Sequence, residues 1–423
     1  MSGHVLVVGA GQAGVQLACS LRDRGYPGRI TLVGDEPHPP YQRPPLSKAY
    51  LKGAVTRDAL ALRAAGYYAA RHVELVLGDG VVAVRRHTDG SGEAVCASGR
   101  TIAFTTLVLA TGARPRALDI EGADAAGVHT LRDIDDAEAL SVALESATEV
   151  VVIGGGFVGL EVAATARAGG KRVTVLEAAS QLLGRAVGPE TARHVAELHR
   201  SAGIDVRLGE APARIVTDGA RVSAVELADG ARVRAQLVVV GIGAVPHTRL
   251  AKSLGLVCDR GIVVDAFSRA SDGTALAVGD CARVPDPTPA ARAGTRVRME
   301  SVDHAVQQAD AATATILGER RPYTCVPWFW SDQGDLRIRI AGLRASDDTP
   351  VTRHLGDRAR CLVGYYRDGR LAAVEAVNAT SDFMAVKRAL AAGVEITASD
   401  LMDPGVSLKI LLKAVSADAV SSG

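Results

Sequence analysis

The sequence predicts an α/β chain with two parallel-sheet domains of one architecture and an α+β domain at its C-terminal end. Three observations predict it. A strand, glycine turn, helix and strand succeed one another twice, about 145 residues apart. Further apolar runs of strand length end in glycine turns in each half. After Pro322 the character changes to tryptophans and alternating residues. A chain of 423 residues is too long for one ordinary core, which agrees with two or three domains.

The first unit opens with the apolar run His4–Val8 and enters Gly9-Ala10-Gly11-Gln12-Ala13-Gly14. A helical stretch follows to Arg24, then the strand Arg29–Val33. The second runs from Glu149–Ile153 into Gly154-Gly155-Gly156-Phe157-Val158-Gly159, a helix to about Ala168, and the strand Arg172–Leu176. This is the βαβ pattern. Thr106–Ala110, ending at Thr111-Gly112, and Gln236–Val240, ending at Gly241-Ile242-Gly243, read as central parallel strands whose C-terminal ends face a ligand crevice. Ala275–Val278 ends in Gly279-Asp280, and Asp286–Thr295 is a loop rich in Pro and Ala. Beyond it, Leu336–Ile340 alternates, and Cys361–Tyr366 with Leu371–Val377 reads as a hairpin around Asp368-Gly369. The expected domains are 1–112 with 245–322, then 113–244, then 323–423.

Each GxGxxG follows a strand, opens a helix and has an acidic residue near the end of the next strand, the context that makes the motif specific for a dinucleotide. The first glycine allows the turn, the second lets the backbone approach a pyrophosphate, and the third lets helix and strand pack. The diphosphate then lies over free N–H groups at the positive helix end. Both domains are therefore expected to be Rossmann-like. The acidic partners are Asp35 (or Glu36) and Glu177. A carboxylate there accepts from ribose hydroxyls and repels a 2′-phosphate, and Ala178-Ala179-Ser180 supplies no cation, so the second site is expected to prefer NADH over NADPH.

Composition narrows the function classes. Hydrophobic content of 48%, charged content of 22% and a formal net charge of +1 describe a soluble globular chain with no global bias toward nucleic acid or anionic membranes. The apolar runs are too short to cross a bilayer. The chain reaches its first strand by His4 without a basic leader, and the six cysteines, Cys19, Cys96, Cys258, Cys281, Cys325 and Cys361, fit no Cys-x-x-Cys or zinc spacing. A cytoplasmic protein with free thiols and no metal is the expectation.

The residues VVGAGQAG, TLVGDEPHPPYQRPPLSKAYL, LVLATGARPR, VVIGGGFVGLEVAATA, VVVGIGAVP, AVGDCA, ESVDHAVQQA and VPWFWSDQ together resemble the FAD-dependent, NADH-utilising ferredoxin reductases of bacterial oxygenase systems, the putidaredoxin reductase and rhodocoxin reductase kind. The resemblance runs nearly end to end. It implies a glutathione-reductase-like architecture, with FAD on the first dinucleotide fold and NADH on the second. It implies an enzyme in which hydride passes from NADH to FAD and single electrons then pass to a small, acidic 2Fe-2S ferredoxin feeding a monooxygenase or dioxygenase. A rubredoxin reductase or NADH oxidase is the alternative enzyme. An apoptosis-inducing-factor-like binding flavoprotein is the alternative of another class. A monomer or weak dimer is expected.

By the same resemblance the cofactor-binding residues are Gly9, Gly11, Ala13, Gly14, Asp35, Arg43, Lys48, Val82, Ala110, Thr111, Gly112, Arg132, Asp280, Glu300, Ser301 and Val302, with Gly154, Gly156, Gly159, Glu177 and Gly243 on the second fold. Asp280 would bind the ribityl chain, and the helix after Val302 would aim its positive end at the flavin. Lys48, in Pro44-Pro45-Leu46-Ser47-Lys48, Glu161, after Gly159-Leu160, and Trp330 are the implied catalytic residues. Disulfide reductases of similar architecture carry a cysteine pair where this chain reads Pro-Pro-Leu-Ser-Lys-Ala-Tyr-Leu, so dithiol chemistry is not expected. Arg337, Arg339, Lys409 and Lys413 are candidate contacts for an acidic partner. By the resemblance, Asp310 stands where one member of this family carries Arg, and Gly334 where members carry an aromatic, so Asp310 is expected as a rim charge that sets which ferredoxin docks.

Overall fold

The computed structural model describes residues 3–184 and 186–409. Lys413 lies outside the described residues. The chain forms two compact units. The first comprises Met1–Gln42, Arg57–Arg114 and Ala244–Pro327, and the second Arg43–Thr56, Pro115–Gly243 and Trp328–Gly423.

In the first unit the strand His4–Val8 pairs in parallel with Arg29–Val33 on one side and Thr106–Leu109 on the other. Val73–Val76 and Leu276–Ala277 complete a five-stranded sheet. Val5, Leu6 and Val7 have no exposed surface, as strands covered on both faces require, and this explains their unbroken apolar run. The helix Gln12–Asp23 packs on the sheet through Val15, Leu17, Ala18 and Leu21.

The second unit repeats the design. Glu149–Ile153 pairs in parallel with Arg172–Glu177 and Leu237–Val240, and Asp205–Leu208 and Val128–His129 form the edges. In both units a three-stranded antiparallel sheet precedes the last of these central strands: Val81–Arg86, Gly92–Cys96 and Thr101–Phe104 in the first, Pro212–Asp218, Arg221–Leu227 and Arg232–Arg234 in the second. These two small sheets, which the sequence reading did not identify, provide the crossover that a helix makes elsewhere.

The C-terminal part of the second unit is an antiparallel sheet in the order Trp328–Gln333, Leu336–Gly342, Arg370–Val377, Cys361–Arg367, Thr349–Arg353. The expected hairpin turns at Asp368 and Gly369, which both have positive φ, as a two-residue connection requires. Gly334, at φ +64°, serves the turn between Gln333 and Leu336. Leu336, Ile338 and Val377 join a core with Val150, Val152, Leu160 and Val195, so this sheet and the second parallel sheet share one apolar interior.

Candidate functional site

The two glycine turns have the same geometry, and each glycine has a different reason to be there. Gly9 and Gly154 have φ of +117° and +105°, and a side chain on either would strike the carbonyl of Ala110 or Gly241 at 2.1 and 2.5 Å. A Cβ on Gly14 or Gly159 would meet the carbonyl oxygen of Gly9 or Gly154 at 2.0 and 2.3 Å, the close helix–strand approach expected of the third position. At the second position the protein recedes: no atom lies within 4 Å of a Cβ on Gly11, and only the Gly241 oxygen, at 3.7 Å, on Gly156. Both are helix N-caps without a side-chain capping bond, so the first-turn N–H groups are left to another acceptor. This is a cradle for a diphosphate that a Cβ would fill, and the residues fit a dinucleotide in each unit.

In the first unit Ala110, Thr111 and Gly112 follow the central strand; Thr111 donates to the His247 carbonyl at 2.7 Å. The turn at Gly279-Asp280 sits against the first glycine helix, since a Cβ on Gly279 would lie 2.9 Å from that of Ala13. Buried Gln308 fixes this turn: its Oε1 accepts from the Gly279 N–H at 2.8 Å and its Nε2 donates to the Ala277 carbonyl at 3.1 Å. Gln308 lies on the helix Val302–Ile316, whose N-cap Ser301 accepts from the His304 N–H at 3.0 Å. Glu300 is exposed and pairs with Arg298. Asp35 is exposed, beside Gly80 and the start of the strand that carries Val82, itself 45% exposed. Glu36, the alternative acid, accepts from Tyr41. Asp310 is not a free rim charge. Its Oδ1 accepts from Ser20 at 2.6 Å and Gln16 at 3.2 Å, joining the two helices.

In the second unit Glu177 stabilises its own glycine loop. One carboxylate oxygen accepts from the Gly155 N–H at 2.7 Å, the other from the Ala179 N–H at 2.8 Å. Gly243, at φ +103°, accepts from the Arg116 N–H at 2.9 Å. The short helix Leu46–Tyr50 packs on the helix Phe157–Ala168 and brings Lys48 to Glu161 at 2.7 Å. Glu161 is 4% exposed, and it also accepts from Ser47 and Ser331. Lys48 donates to the Pro44 carbonyl at 2.9 Å, with its backbone out of the helical region at φ −126°, ψ −105°. Arg43 donates to the Arg132 carbonyl at 2.8 Å. Trp330 stacks on Trp328 at 5.0 Å, and Lys387 lies 3.9 Å above the Trp328 ring. Arg339 is paired with Asp332 at 2.8 Å and its side chain is 16% exposed, whereas Arg337 is 45% exposed. Ser47, Ser331, Gln333 and Gln308 lie within the segments that carry the resemblance, but nothing in the sequence pattern assigned them these contacts.

All six cysteines are unpaired. Among the described residues no group of His, Cys, Asp or Glu could hold a metal ion, and no helix is long and apolar enough to cross a membrane.

Residues 3–309 match the pyridine nucleotide-disulphide oxidoreductase family, and residues 328–412 match the reductase C-terminal family. The chain is 41% identical to rhodocoxin reductase of Rhodococcus erythropolis over 408 residues, which is 96% of this chain and 94% of that one. A ferredoxin reductase crystal structure from Rhodopseudomonas palustris superposes with a TM-score of 0.91 at 40% identity, covering 96% of this chain and 99% of that chain. The reductase in a covalent putidaredoxin reductase–putidaredoxin complex gives a TM-score of 0.91 at 37% identity, covering 98% and 99%. With two open glycine cradles on twin parallel sheets and these matches over nearly the whole length, the chain belongs to the pyridine nucleotide-disulphide oxidoreductase family.

Proposed function

We propose that this protein is an NADH-dependent ferredoxin reductase. Its first dinucleotide fold would hold FAD, its second NADH, and a small acidic 2Fe-2S ferredoxin would take the electrons. The observation that carries this reading is the pair of glycine loops, each open only at its second glycine. The full-length likeness to reductases named for their ferredoxins supplies the partner class. The domains read from the sequence, 1–112 with 245–322, 113–244 and 323–423, are the proposed functional division. Residence in the cytoplasm and a monomer or weak dimer complete the reading.

When bound, FAD accepts a hydride from NADH and hands electrons on singly. The chain's own part is to bind, orient and balance charge. Gly11 and Gly156 would admit the two diphosphates to first-turn N–H groups, and Asp280, Thr111, Ser301 and Val302 would line the flavin side. Glu177 would accept from the NADH ribose while holding the Gly155 and Ala179 amides, and it would repel a 2′-phosphate. Lys48 would offer a fixed cation to developing negative charge, kept in place by Glu161. Trp330 would provide an aromatic surface.

The test is NADH-driven reduction of cytochrome c with and without a two-iron ferredoxin. The expected result is fast turnover that requires the ferredoxin. Turnover with rubredoxin instead, or none with either, overturns the assignment of partner.

A further inference from the structure

The Lys48–Glu161 pair does not end at Glu161. Glu161 Oε1 accepts from Ser331 Oγ. Ser331 Oγ accepts in turn from Gln333 Nε2 at 3.1 Å, and Gln333 Oε1 faces His199 Nε2 at 2.7 Å. Ser331, Gln333 and His199 are each 1% exposed or less. They come from two different elements, the strand Trp328–Gln333 and the helix Pro189–Ser201.

Hydrogen-bond logic gives this chain a direction. Ion-paired with Lys48, the Glu161 carboxylate only accepts. Ser331 must therefore donate its single hydroxyl proton to it. That leaves only lone pairs for Gln333, which must present its amide NH2. The Gln333 carbonyl then faces His199, so His199 must carry its proton on Nε2. Burial holds the imidazole below its ordinary range, in the neutral form, against the smaller opposing effect of Gln333. Reversing any member would set two donors or two acceptors face to face in the interior, an expensive defect.

We propose that His199 is a positioning residue for the Lys48–Glu161 pair, acting through Gln333 and Ser331. Its proton sets the amide of Gln333, the amide sets the hydroxyl of Ser331, and the hydroxyl holds Glu161 Oε1 so that Oε2 meets Lys48. The helix Pro189–Ser201 of the NADH domain is thereby tied, through the C-terminal sheet, to the proposed catalytic cation. This inference rests on the functional reading of Lys48 and Glu161 given above. A bland alternative is a satisfied polar seam with no bearing on Glu161, and the two differ in what responds to what.

The test combines imidazole nitrogen NMR of the FAD-bound protein with stopped-flow reduction of the flavin by NADH. The proposal expects a neutral Nε2–H tautomer for His199 and a signal that moves in Glu161→Gln and in Ser331→Ala. His199→Phe should slow flavin reduction about threefold to tenfold, the effect of one buried hydrogen bond, at unchanged FAD content. His199→Gln, whose amide nitrogen can stand at the Nε2 position, should restore the rate. In a Ser331→Ala background His199→Phe should have no further effect. An Nδ1–H tautomer, a His199 signal indifferent to Glu161→Gln, or full speed in His199→Phe would overturn it. Should His199→Phe not fold, Gln333→Leu and the NMR of the unaltered protein decide. A wild-type flavin that NADH does not reduce would sink the ferredoxin reductase reading, while the NMR arm would still judge the chain.

Discussion

At the scale of single residues, the glycines separate folding from binding. A Cβ on Gly11 meets nothing within 4 Å, so Gly11→Val should fold and yet lose FAD, because the added carbons occupy the space of the pyrophosphate. A Cβ on Gly14 would meet the Gly9 oxygen at 2.0 Å, so Gly14→Val should lose about 1–3 kcal/mol of stability or more as well as flavin. Thermal unfolding and the ratio of flavin to protein absorbance check both; full-occupancy FAD in Gly11→Val would remove FAD from the first fold. Glu177 has two functions in one side chain. Its oxygens already hold the Gly155 and Ala179 amides, and their remaining lone pairs are the proposed ribose acceptors. Glu177→Ala should therefore lower kcat/KM for NADH by about 1–3 kcal/mol and also loosen the loop. Comparable kcat/KM for NADPH in the unaltered protein would contradict the carboxylate's proposed selectivity.

At the scale of elements, two contacts that the sequence did not disclose hold helices in place. Asp310 sits between the helices Gln12–Asp23 and Val302–Ile316 and accepts from Ser20 and Gln16, so Asp310→Arg first disturbs this packing. A loss of about 1–3 kcal/mol is expected for Asp310→Arg and little for Asp310→Asn, which keeps an acceptor. Equal stability of the two variants by denaturant unfolding would return Asp310 to the surface. The second contact is Glu375, 1% exposed, which accepts from the N–H of Gly188 at 3.0 Å and from Tyr365 at 3.1 Å, and so caps the helix Pro189–Ser201. Burial pushes its carboxyl up to about 7, against the opposing pull of Thr191, Gly188, Tyr365 and Arg344. The folded form thus binds the proton more tightly than the unfolded form. Between the ordinary value of 4.5 and about 7, the contribution of Glu375 to stability falls as pH rises, and that contribution to the slope vanishes above the window. Glu375→Gln should flatten that slope, as unfolding measured across the window will show. Neither contact was legible because each joins positions far apart in sequence: 290 residues for Ser20–Asp310 and 187 for Gly188–Glu375. The parallel strands were legible for the opposite reason. Burial on both faces makes them continuous apolar runs, and a glycine turn after strands such as His4–Val8, Glu149–Ile153 and Leu237–Val240 marks the boundary. The small antiparallel sheets escaped because strands such as Val81–Arg86 mix exposed and buried residues without a clean period.

At the scale of the whole molecule, duplication explains why so much of the fold and so little of the partner surface could be read. Both parallel sheets answer to one pattern, so each glycine loop corroborates the other. A docking surface has no period and no repeat, and its charges must be sorted one at a time by what already holds them. Of the basic candidates on the C-terminal sheet, Arg339 is committed to Asp332 and mostly buried. Arg337 is exposed, 3.8 Å from the same carboxylate, and Lys409 is exposed as well. A rim charge steers an acidic partner only if its field reaches solvent, and that steering weakens as salt shortens the Debye length. Arg337→Glu should therefore reduce kcat/KM for the ferredoxin at low ionic strength by about threefold to fivefold, the size expected of one exposed charge, and the deficit should shrink as salt is added. Arg339→Ala should act differently. It frees Asp332 and removes packing, so its cost should appear in stability and persist at high salt. Ferredoxin-dependent cytochrome c reduction across an ionic-strength series distinguishes them. A salt-independent deficit in Arg337→Glu, or a salt-dependent one in Arg339→Ala with unchanged stability, would reassign the contact from the exposed arginine to the buried one.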